Sequence, residues 1–74
     1  MDITLKTTEK DGITIVKEGR TVLAKVYPSK GVWAAQAAGM VNYCESKESA
    51  LSLVAERRAD RANAFGGDRK VIFA

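Results

Sequence analysis

The residues of this 74-residue chain best suited to chemistry are Lys25, Tyr27, Lys30, Trp33 and Tyr43, and the chemistry they suit is recognition. Aromatic rings stack on nucleobases and lysines neutralise phosphates, so the set fits a platform for single-stranded nucleic acid. The same residue types anchor protein interfaces, and Trp33 and Tyr43 would also serve as core. The surrounding charge is one-sided. The acids Asp2, Glu9, Asp11 and Glu18 are followed by none until Glu45, while Arg20, Lys25 and Lys30 fall between. Further on, Arg57 and Arg61 stand four residues apart, on one face of a helix, where they could reach phosphates. Glu56 and Asp60 dilute that face.

Other chemistries lack their parts. No histidine is present, which removes the usual proton carrier near neutral pH and the commonest metal ligand. Cys44 is the only thiol and has no base to activate it; in an apolar run it reads as a small buried hydrophobe. No acidic or Cys cluster has ligand spacing, so no metal or cofactor is expected. Gly66 and Gly67 precede Arg69 and Lys70, but they follow a helix, whereas phosphate loops precede one. The chain reads as a binding protein and not as an enzyme.

Such residues need a scaffold. One small domain is expected, burying only about 60% of its unfolded surface, with no internal disulfide to help. Ile3–Thr7 alternates apolar and polar residues, as a half-buried strand does. Asp11-Gly12 turns the chain into Ile13–Lys17, and Glu18-Gly19 turns it into Thr21–Tyr27. Pro28–Gly31 forms the next turn. Gly31–Cys44 has no formal charge in a chain where 28% of residues are charged. It is read as a fourth strand, bent or broken near Gly39, with a short helix over Val32–Ala38 as the competing form. Ser46 suits a helix N-cap, and the stripe Leu51, Val54, Ala55, Ala59, Ala62, Phe65 continues the helix to Gly66-Gly67. Val71–Phe73 closes the chain as a strand expected to be central or well covered. The architecture is α+β, an antiparallel meander packed on one helix with a C-terminal strand, β-β-β-β-α-β.

One helix covers one sheet face. Ile3, Leu5, Ile13, Ile15, Val22, Ala24 and Val26 are assigned to the covered face. Thr4, Lys6, Thr14, Val16, Leu23, Lys25 and Tyr27 fall on the open one, with one side of the Trp33 strand. An uncharged strand with an uncovered side calls for a second copy, another partner, or water.

The segments VWAA and NYCESKESALSLVAE resemble small phage-encoded inhibitors of bacterial RNA polymerase. The order of ITIVKEGRTVLAKV followed by ESKESALSLV is similar to that of some type I-F anti-CRISPR proteins. The resemblance spans residues 13–74 as a pattern, and arm-type DNA-binding domains of recombinases share it. It implies a phage or prophage accessory protein that blocks a host complex by occupying a protein surface. A nucleic-acid-binding module built on the basic, aromatic sheet face is the alternative, and a homodimer is a third possibility. The opening MDITLKTT has no signal-peptide pattern and no stretch is long and apolar enough to span a bilayer, so a cytoplasmic location is expected.

Overall fold

The computed structural model describes residues 2–74. Strands β1 (Ile3–Lys10), β2 (Ile13–Glu18), β3 (Thr21–Ser29), β4 (Val32–Ala37) and β5 (Met40–Cys44) precede helix α1 (Lys47–Ala62), and strand β6 (Val71–Phe73) follows it. They form one six-stranded sheet in the order β5-β4-β3-β2-β1-β6, antiparallel throughout except that β6 runs parallel to β1. The expected class holds: a meander on one helix with a C-terminal strand. The break near Gly39 is a full reversal, so five strands precede the helix, and Val32–Ala37 is strand.

Two-residue turns set this meander. Asp11-Gly12, Lys30-Gly31 and Ala38-Gly39 each have positive φ at both positions, the geometry whose twist matches the flanking strands. The third strand therefore runs through Pro28 to Ser29, and the turn expected over Pro28–Gly31 is only its last two residues. Ala38 holds φ +50° without the local hydrogen bond that makes Asn or Asp tolerant there. Ala38→Asn is expected to stabilise the protein by about 1 kcal/mol, read as a higher urea midpoint at unchanged m-value.

The core lies between the sheet and α1. Leu5, Val16 and Val26 are fully buried, with Ile3, Ala24, Ala35, Ala50 and Val54 around them. Three of these eight are alanines, which lets the helix sit close to the strands but leaves the core thin. Ser46 caps the helix, its hydroxyl accepting a 3.1 Å bond from the Ser49 amide. The helix ends at Ala62 with Asn63 as C-cap, short of the expected Gly66, and Phe65 lies beyond it, fully exposed. The Asn63 side chain donates to the Arg69 carbonyl at 3.1 Å and accepts from the Arg69 amide at 3.0 Å, which steers the chain into β6. That strand is an edge, with Ile72 and Phe73 exposed, so the expectation of a covered final strand is corrected.

The face assignment is also corrected. Thr14 and Val16 point to the helix, and Ile13 and Ile15 point away. A bulge opposite Val16/Lys17 shifts the register in β3, so Leu23 joins Ala24 against the core while Val22 turns outward. Thr14 is 3% exposed, and its hydroxyl meets a Glu9 carboxylate oxygen at 3.4 Å, which offsets the cost of burying it.

Candidate nucleic-acid interface

Strand parity and register place the side chains of the face turned away from α1. Side chains alternate along a strand, and register partners share a face. In one row Tyr27, Ala34 and Tyr43 stand abreast across β3, β4 and β5. The next row runs Thr8, Ile15, Lys25, Gln36, Val41 across five strands. A third sets Lys6 opposite Lys17, followed by Val22. Lys10 pairs with Ile13 at the end of the β1–β2 hairpin. Four lysines, Lys6, Lys10, Lys17 and Lys25, thus share this face.

No strand residue on it is acidic. The two strand carboxylates, Glu9 and Glu18, lie on the other side, each tied to a cation from α1. Lys47 donates to Glu9. The Arg58 guanidinium grips Glu18 with bonds of 2.6 and 3.3 Å. The Lys47 hydrogen bond and charge hold the Glu9 carboxyl below the usual carboxylate range, and the Arg58 hydrogen bond does the same for Glu18. Both acids are neutralised on the helix side, so neither offsets the lysines.

Lys6 directly opposite Lys17 is a like-charge pair, an arrangement that destabilises a sheet by a few tenths of a kcal/mol. Beside the lysines, Ala34 has no exposure even though it faces away from the helix and stands outside the core cluster. Its row neighbours are tyrosines, and Tyr43 is 66% exposed. Ala34 lies between the two tyrosines in this row, and Tyr43 leaves much of its surface open to solvent. With strands about 4.8 Å apart, the two tyrosines stand about 10 Å from each other.

The candidate residues therefore divide. Lys25, Tyr27 and Tyr43 lie together on the open face, and Lys30 is in the turn at its end. Trp33 does not join them. It packs on the core from the helix side, half-buried, opposite Cys44. Arg57 and Arg61 are on α1, and Arg57 donates to the Asn42 side chain at 3.2 Å. Sequence reasoning placed Lys6 on this face without counting it as a site residue, and it missed Lys10 and Lys17. The missing signal was parity: a lysine inside a half-buried strand marks the outward side, and Lys17 shares that side with Ile13 and Ile15.

Among the described residues no group of three Cys, Asp or Glu is placed to hold a metal ion, and no helix is long and apolar enough to cross a membrane. Comparisons with family models, with characterised proteins and with solved structures found no match.

Proposed function

We propose that the protein is a non-enzymatic nucleic-acid-binding module that works through the sheet face opposite α1. One observation carries this reading: four lysines and two tyrosines share a face without a strand acid, and two of the lysines sit directly opposite each other. A face kept only for solubility would gain stability from an acid at Lys6 or Lys17. A polyanion rewards the lysines instead, through counterion release. Of the three functions expected from the sequence, blocking a host complex, binding nucleic acid and pairing as a homodimer, the second uses this asymmetry.

The test is binding of fluorescein-labelled mixed-sequence oligonucleotides, single- and double-stranded, titrated with salt. With about four phosphates neutralised, log K should fall by roughly 3 to 4 per tenfold rise in salt. No binding at 20 mM salt would overturn the reading. Lys17→Glu separates stability from function. Placing an acid opposite Lys6 is expected to stabilise the sheet by about 0.2–1 kcal/mol while weakening oligonucleotide binding. Thermal melts and the same titration check the two effects.

A further inference from the structure

On the opposite side of the sheet, a half-enclosed groove of about 180 Å³ lies between α1 and the ends of β3, β4 and β5. Its wall is mostly apolar, with Ala35, Ala37, Met40 and Leu53, and its polar lining is Arg58, Arg61, and Arg57 with the Asn42 side chain to which it donates. The volume is that of one large side chain. Among the described residues the ion pairs engage Lys47 and Arg58, so neither Arg57 nor Arg61 has a carboxylate partner. Two arginines one helical turn apart beside an apolar hole suit a carboxylate attached to a compact apolar group.

A second observation says how that group arrives. Strand β5 is the edge of the sheet on this side, so one row of its backbone N–H and C=O groups is unpaired. Its sequence, MVNYC, has no lysine, no proline and no bulge to discourage another strand, and Met40, Val41 and Tyr43 are exposed. The strand leaves the groove as it runs from Met40 towards Cys44, while α1 runs the other way and brings Arg61 back to the Met40 end. A strand added antiparallel to β5 would finish at that end.

We infer that the β5 edge and the groove together receive the C-terminus of a partner protein. The last few residues pair antiparallel with β5, the final apolar side chain fills the groove, and the terminal carboxylate is held by Arg57 and Arg61. Strand addition supplies affinity through main-chain bonds, and the groove supplies selectivity for the last residue. The helix C-terminus opposes an anion, so the two arginines carry the charge recognition. The groove lies on the helix side of the sheet, and the site meets the lysine face only at β5, through Val41 and Tyr43.

The probes are fluorescein-labelled heptapeptides of alternating Thr and Val ending in Leu, Val or Phe, each made as the free acid and as the C-terminal amide, with binding read by polarisation. The free acids are expected to bind in the micromolar range and the amides at least tenfold more weakly. R57Q/R61Q, with its fold checked by circular dichroism, should abolish that difference. Methylating backbone nitrogens one at a time should weaken binding at every second position, as pairing along one edge requires. Absence of free-acid binding would overturn the inference. So would equal binding of acid and amide, a difference that survives R57Q/R61Q, or a β5-to-β5 dimer in sedimentation that the peptides do not dissociate.

Discussion

Replacing Lys6, Lys10, Lys17 and Lys25 together with glutamine is expected to abolish oligonucleotide binding at physiological salt while leaving the fold intact. The four side chains share one sheet face and, among the described residues, bond to no acid, so their charge contributes little to stability. The Lys6–Lys17 repulsion is relieved in the variant, and its melting temperature should not fall. The affinity effect is large because each neutralised phosphate contributes close to one unit of salt dependence, so removing four contacts flattens the slope by roughly 3 to 4. Fluorescence polarisation from 20 to 300 mM salt measures it. The matching change on the helix side, R57Q/R61Q, should leave oligonucleotide binding within about twofold. Phosphate contacts made by the helix would reverse that ranking.

The second large effect is on stability. Leu5 is fully buried where β1 changes partners: its N-terminal half pairs with β6, with Leu5 opposite Phe73, and its C-terminal half with β2. Leu5→Ala is expected to cost about 2–5 kcal/mol. A chain this size has roughly 4–11 kcal/mol in total, so the variant loses a large share and should show a detectable unfolded fraction at 37 °C. The core's many alanines offer little bulk to collapse into the cavity, which places the loss towards the upper end. Urea denaturation followed at Trp33 measures it. A loss under 1 kcal/mol would mean that the β1–β6 junction contributes little to the core.

Much of the fold could be read from local chemistry. Asp11-Gly12 and Lys30-Gly31 are turn dipeptides, Ser46 is a cap, and Ile3 and Leu5 alternate with polar neighbours. What failed were matters of phase. In Ile13-Thr14-Ile15-Val16 every residue is β-branched, so hydrophobicity points the isoleucines inward, whereas the fold buries Thr14 because Glu9 accepts its hydroxyl hydrogen bond. Val22 and Leu23 exchanged sides because the bulge adds a residue that no local pattern announces. The uncharged Gly31–Cys44 stretch proved to be a hairpin that serves both faces. Trp33, Ala35 and Cys44 pack towards the helix, and Ala34 and Tyr43 face the other way. In the site, the tyrosines could be found from the sequence, and Lys6 and Lys25 could be read onto one face, but Lys10 and Lys17 could not be gathered with them. Lys10 reads locally as part of a turn, and Lys17 shares its side with Ile13 and Ile15, whose hydrophobicity points them inward.

Chemical-shift mapping tests the central claim most directly. A ¹⁵N-labelled sample would be titrated with a mixed-sequence single-stranded oligonucleotide at low salt. Shifts are expected at amides around Lys6, Lys17, Lys25, Tyr27 and Tyr43, with line broadening in the Tyr27 and Tyr43 ring signals. Amides of α1 from Glu48 to Arg61 should move little. Shifts concentrated on α1, or none anywhere on the sheet, would contradict a nucleic-acid interface on the lysine face.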